Sequence, residues 1–210
     1  MDLGILTNIV AQLAYIALAS LALWGAFCII MIMTRVGQKR FKNEASQTEF
    51  LDAIDASLSK GRFDEATEIC DGDPRAMCQL TWVAITNRKL GFDKVKLMVI
   101  DRFQRDILAD LEHRLTWVNT VIKSAPMVGL FGTVIGMMGA FDKLASAENV
   151  KPDQLASDIS VALVTTASGL AIAIPLVLCV TMINVRIRKM EDLVSAGLTR
   201  FLDSFRTVLK

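Results

Sequence analysis

Thr133, between Ser124 and Phe141, and Thr165 and Thr166, between Ile159 and Val185, stand in stretches that carry no charge. In apolar surroundings a threonine hydroxyl has two uses. It can bond back to a carbonyl one turn earlier, or it can donate to and accept from a water or another side chain. What sets these three apart is their company. In SAPMVGLFGTVIGMMGAF, Gly129, Gly132, Gly136 and Gly139 fall three, four and three residues apart, on one side of a helix, with Thr133 at the edge. Downstream, Asp158, Ala162, Thr165, Thr166, Gly169 and Ala173 make a second small or hydroxylated face. Glycine costs a helix about 1 kcal/mol relative to alanine, so four on one face read as a packing surface that lets another helix lie close.

The elements that must position these groups are membrane helices. The chain has 210 residues, 53% of them hydrophobic, and a mean hydropathy of +0.44, which fits part membrane and part aqueous protein. Three stretches lack charge, from Leu3 to Thr34, Ser124 to Phe141 and Ile159 to Val185, each meeting or approaching the roughly 20 residues needed to span. The first follows Asp2 with no basic leader and ends in Arg35, Lys39, Arg40 and Lys42, so it reads as a retained anchor. Rich in Leu, Ile and Ala with Trp24, it shows no small face and is expected to look at lipid. Arg102, Arg105, Arg114 and Lys123 precede the second span, and Arg186, Arg188 and Lys189 follow the third. Asp142, Glu148, Asp153 and Asp158 outweigh Lys143 and Lys151 in the connection. The positive-inside bias then predicts a periplasmic N-terminus (1–8), spans at 9–34, 124–141 and 159–185, a cytoplasmic helical domain (35–123), a periplasmic loop (142–158) and a cytoplasmic C-terminal helix (186–210). No acidic or basic side chain falls inside any span so drawn.

Outside the spans the pattern is helical. Ser46 to Glu49 has capping-box form ahead of Phe50, Leu51, Ile54 and Leu58, with Gly61 placed as a stop. A short helix around Phe63 to Cys70 precedes the Gly72, Asp73, Pro74 turn, and a third helix with Met77, Leu80, Trp82 and Ile85 stops near Gly91. Val95, Val99, Phe103, Ile107, Leu111, Leu115, Val118 and Ile122 then form a stripe running into the second span. Only Pro126 interrupts a helix that would run from Asp93 to Phe141, roughly 70 Å. Ile187, Met190, Val194, Leu198, Phe201, Phe205 and Val208 continue the third span in the same way. Pro175 weakens that helix. The fold class is all-α: three transmembrane helices, two of them extended far into the cytoplasm as a helical bundle.

Function classes narrow quickly. Cys28, Cys70, Cys78 and Cys179 form no CxxC pair and have only His113 for company, so no metal site is expected and the cysteines read as small buried residues. No nucleophile, base and orienter set and no phosphate loop is present, which excludes an enzyme of ordinary kind; no cofactor is implied. The 23 basic and 22 acidic residues nearly cancel and give no footprint for nucleic acid.

GLFGTVIGM at Gly129 to Met137 and ALVTTASGLAIAIP at Ala162 to Pro175, in this order and within three spans, resemble the MotA/TolQ/ExbB proton-channel family. The resemblance implies a homo-oligomer, a pentamer, around single-span partners of ExbD, TolR or MotB type that carry an essential membrane aspartate. Protons passing through drive movement delivered to the periplasm. Thr133, Thr166 and Thr165 would then line the proton path and bond the partner's carboxylate or a water beside it. Asp158 would stand at the outer mouth, or else be a solvated helix N-terminus. Gly129, Gly132, Gly136, Gly139, Ala162 and Gly169 would be the helix-packing face. One departure is visible: the TolQ and ExbB branches usually have a glutamate where this chain has Val161. The MotA branch is expected to have four spans, which favours the ExbB/TolQ-like branch. The competing readings are a membrane scaffold that packs through its glycine face without conducting ions, and a small-solute carrier, for which no midplane polar site is visible.

Overall fold

A computed structural model describes residues 3–41, 43–146 and 152–209. The described residues form α1 (Leu3–Lys39), α2 (Glu44–Ser59), α3 (Phe63–Cys70), α4 (Ala76–Thr86), a 3-10 turn (Arg88–Leu90), α5 (Phe92–Arg102), a π-helical segment (Phe103–Leu108), α6 (Ala109–Ser146) and α7 (Pro152–Val208). They contain three helical stretches long and apolar enough to cross a membrane, within Gln12–Lys39, Phe92–Ala145 and Leu155–Val208. Lys42, Glu148 and Lys151, used above to read the topology, lie outside the described residues. The chain divides into two compact units. The first takes Met1–Ile30 with Leu115–Thr181, the second Met31–Arg114 with Met182–Lys210.

In the second unit the expected short helices are present, but α2 starts earlier than its capping-box form suggests. Glu44 opens the helix after an extended Asn43, and Ser46 lies inside the first turn. An acidic residue and an alanine suit a first turn, and Thr48 instead donates back to the Glu44 carbonyl at 3.0 Å. Gly61 does close the helix. Its φ of +69° lets its amide reach the Leu58 carbonyl at 2.9 Å while the Arg62 amide reaches Ser57 at 3.0 Å, a Schellman arrangement. Helix α4 ends at Thr86, and the 3-10 turn carries the chain on to Gly91. Cys70 and Cys78 are buried; loss of solvent pushes the Cys70 thiol up to about 12 and raises Cys78 as well, so both stay protonated and inert.

The stripe from Val95 explains a feature the sequence did not predict. Val95, Val99, Phe103, Ile107 and Leu111 are all buried and all four residues apart. Steps of four overshoot a turn of 3.6 residues, so on an unbroken α-helix the stripe would wind away from the core. The π segment at Phe103–Leu108 widens one turn and holds these side chains on the same side. The helix beginning at Phe92 is therefore not interrupted by Pro126 alone. Both Pro126 and Pro175 lie inside α-helices.

The tail meets its core as expected: Met190, Val194, Leu198, Phe201 and Phe205 are buried. Gln47 from α2 is buried too, and its amide donates to the Leu193 carbonyl at 2.6 Å. Gly197 makes room for it, since a methyl there would collide with the Gln47 amide nitrogen. Arg200 reaches Asp52 and, at 3.1 Å, Asp55, tying the same two helices together. Replacing Gly197 by valine should displace Gln47 and cost the second unit about 1–3 kcal/mol, read as a lowered melting temperature of the detergent-solubilised chain.

The Asp73 carboxylate accepts bonds from the Arg75 side chain and from its amide at 2.9 Å, and these hold it below the usual carboxylate range. A folded-state value below the unfolded one stabilises fully above about pH 4 and is lost as pH falls through the lower value. Asp73→Asn should flatten the acid limb of a stability–pH curve and leave the neutral region the less stable of the two proteins.

Candidate functional site

The two small faces found in the sequence are each other's partners, in the first unit. A methyl built on Gly129 would stand 2.6 Å from the Thr165 carbonyl oxygen, one on Gly132 2.8 Å from Thr165 Oγ1, and one on Gly136 2.7 Å from the Ala162 methyl. From the other side, a methyl on Gly169 would stand 2.5 Å from the Ala125 carbonyl oxygen. Helices α6 and α7 thus lie closer than two alanine faces permit, which is the physical reason for the glycine spacing. Ala162, Ala173 and Gly139 are buried as well.

This contact gathers the hydroxyls. Thr133 is buried, and its Oγ1 lies 2.7 Å from the Leu130 carbonyl, 3.3 Å from that of Gly129 and 2.9 Å from Thr166 Oγ1 on α7. Thr165 Oγ1, also buried, lies 2.7 Å from the Ala162 carbonyl and 2.9 Å from the Gly129 carbonyl across the interface. Each hydroxyl has one proton and can accept through two lone pairs. When Thr133 donates to Leu130, Thr166 can donate to Thr133; when Thr133 turns to Thr166, the Thr166 proton is available elsewhere. Thr166 is the half-buried member and forms the accessible end of the pair. Both expected uses of a threonine therefore occur together, the back-bond and the inter-helix bond.

Asp158 does not stand at a helix N-terminus. Helix α7 begins at Pro152, which puts Asp158 in its second turn, where Lys143 of α6 donates to it at 2.7 Å. Lys143 was not singled out from the sequence, although its charge opposite an acidic face was the available sign. Helix α1 also differs from expectation. Its Ile16, Leu23, Trp24 and Phe27 are exposed, but Ala14 and Leu18 are buried, and a methyl on Gly25 would meet Leu176 at 2.8 Å and Val121 at 3.2 Å. It therefore has a packing face, one that a lone glycine does not announce. Tyr15, the one tyrosine of the chain, donates to the Val161 carbonyl at 3.1 Å. A polar group reaches α7 at the position of Val161, though it comes from α1. Gly129→Val or Gly169→Val should force α6 and α7 apart, lost as a folded, monodisperse peak in size-exclusion chromatography, whereas Gly37→Ala, with open space around it, should leave the profile unchanged.

Residues 93–196 match the MotA/TolQ/ExbB proton channel family, and this segment holds the glycine strip and all three hydroxyls. The Tol-Pal system protein TolQ of Haemophilus influenzae is 36% identical over 102 residues, 49% of this chain and 43% of that protein. The putative biopolymer transport protein ExbB-like 2 of Helicobacter pylori is 37% identical over 92 residues, 44% and 59% of the two chains. TolQ of Pseudomonas aeruginosa is 38% identical over 99 residues, 47% and 41%. The matches span about half the length of these relatives. Through residues 93–196, with their close-packed glycine face and paired hydroxyls, the chain belongs to the MotA/TolQ/ExbB proton channel family and to its ExbB/TolQ-like branch.

Proposed function

We propose that the chain is a subunit of a proton-driven motor of the bacterial inner membrane. In this reading it spans three times, at 9–34, 124–141 and 159–185, with the N-terminus periplasmic and residues 35–123 and 186–210 cytoplasmic. Copies assemble as a pentamer around the aspartate-bearing helices of a single-span partner of ExbD or TolR type, and proton flow becomes mechanical work on the envelope. No bond is made or broken in a substrate, so the protein is not an enzyme.

The observation that carries the reading is the Thr133–Thr166 hydroxyl pair, 2.9 Å apart at the α6–α7 contact inside the matched segment. A hydroxyl pair that can reverse its donor direction suits a carboxyl group that must be met in both protonated and ionised forms. Thr166 accepts from the acid in one state and donates to the carboxylate in the other. Each proton moving down 100 mV releases about 2.3 kcal/mol, enough to shift the balance among nearly equivalent packings. Thr165 is held by two carbonyls and fixes the wall beside the pair. The Asp158–Lys143 pair stands about two turns from Thr166 along α7, at the outer end in this topology.

A scaffold that conducts nothing is the competing reading, favoured by one observation: Thr133 and Thr165 already find carbonyls within their own helices. The two readings part on proton uptake. With the single-span partner co-expressed and the complex reconstituted in vesicles, Thr133→Val and Thr166→Val should each lower proton uptake by about tenfold or more while the complex still co-purifies. No proton uptake by the unaltered complex would support the scaffold, and undiminished uptake in both variants would remove the hydroxyls from the path.

A further inference from the structure

In the first unit, the three uncharged runs are not in register. Gly25 of α1 meets both Val121 of α6 and Leu176 of α7. Lys123 lies two residues beyond Val121, which puts it at the level of Leu23 on α1 and within a turn of the level of Ile174 on α7. From those levels α1 stays uncharged to Thr34 and α7 to Val185, eleven residues or about 16 Å of helix in each case. That is further than a four-carbon stem can snorkel. At this depth the second span begins before Ser124, and Lys123, drawn above at the cytoplasmic border, falls inside the layer that α1 and α7 define.

The two sides of the unit differ at this depth. Leu23, Trp24, Phe27 and Ile30 are exposed on α1, and Trp24 packs edge-on against Trp117. On α6, Thr116, Asn119, Thr120 and Lys123 are exposed. Lys123 is about 200° round the helix from Val121, so this polar face points away from α1. Two neighbouring surfaces at one depth cannot both face hydrocarbon when one of them carries an ammonium and an amide.

We infer that the α6 face bearing Thr116, Asn119, Thr120 and Lys123 lines a water-filled vestibule reaching into the middle of the apolar layer, and that Lys123 sets the electrostatic potential at its inner end. The vestibule runs from Thr116 to Lys123, its inner end about two turns before Gly129, and so leads from the cytoplasmic side towards the Thr133–Thr166 pair. It rests on the three-span reading above. Its ligand chemistry is that of small hydrated ions: anions are drawn towards Lys123 and cations are discouraged from entering.

Single cysteines at Asn119, Lys123, Leu23 and Phe27, placed in a full-length chain with Cys28, Cys70, Cys78 and Cys179 replaced by alanine, test this in inverted membrane vesicles. The probes are anionic sulfonatoethyl and cationic trimethylammonioethyl methanethiosulfonate. Asn119→Cys and Lys123→Cys should react about a hundredfold faster than Leu23→Cys and Phe27→Cys, because a thiol must meet water to ionise. At Asn119→Cys the anionic probe should be favoured about threefold or more, and adding Lys123→Gln should erase that preference. Equal inertness at all four positions would overturn the vestibule, and an unchanged preference without Lys123 would overturn its electrostatic role. Labelling is read without ion flow. A chain that labels as expected but conducts no protons would sink the motor reading alone, and one that conducts without labelling would sink only this inference.

Discussion

The backbone-to-backbone approach of α6 and α7 constrains everything around it. Two helices can come this close only where one of them lacks a Cβ at each point of contact, and the contact uses Gly129, Gly132 and Gly136 on one side and Gly169 and Ala162 on the other. Between apolar membrane helices burial against lipid gives little drive, so the stabilisation comes from dispersion over many close atoms and from hydrogen bonds that cross the interface. The bond from Thr165 to the Gly129 carbonyl is one of these, possible only because the glycine leaves its carbonyl uncovered.

That closeness also decides the chemistry. A hydroxyl within an apolar layer is costly unless it is bonded, and Thr133 and Thr165 meet this condition inside the helix pair. Thr166 does so through Thr133 and remains half-buried. The result is a rigid wall with one adjustable hydrogen bond at its edge. A site that must meet a moving acid repeatedly gains from such preorganisation, since the wall need not rearrange each time.

The second unit obeys water-soluble rules. Its core is Ile54, Leu58, Met77, Leu80 and Ile85 together with Phe201 and Phe205 from the end of α7, and its polar contacts are specific ties such as Gln47 to Leu193 and Arg200 to Asp52 and Asp55. The π segment at Phe103–Leu108 belongs to the same logic, because it keeps a four-residue stripe on its core. Helices α1, α6 and α7 contribute to both units, so each must satisfy lipid-like packing in one part and aqueous packing in another.

Much of this could be read directly from residue order. Helical periodicity, uncharged length and the three-four-three glycine spacing determined three membrane-competent helices, the packing face and the candidate hydroxyls, because each depends on neighbours within a turn or two. The capping-box form at Ser46 misled, since the helix starts three residues earlier, with Asn43 at the cap position and Glu44 in the first turn. What only the tertiary structure decided were relations between segments far apart in the chain. These are the pairing of Thr133 with Thr166, of Lys143 with Asp158 and of Tyr15 with Val161, and the meeting of Gly25 with Val121 and Leu176. Each depends on the axial offset between helices, which follows from how side chains interlock along their whole contact and is written in no single stretch of the chain.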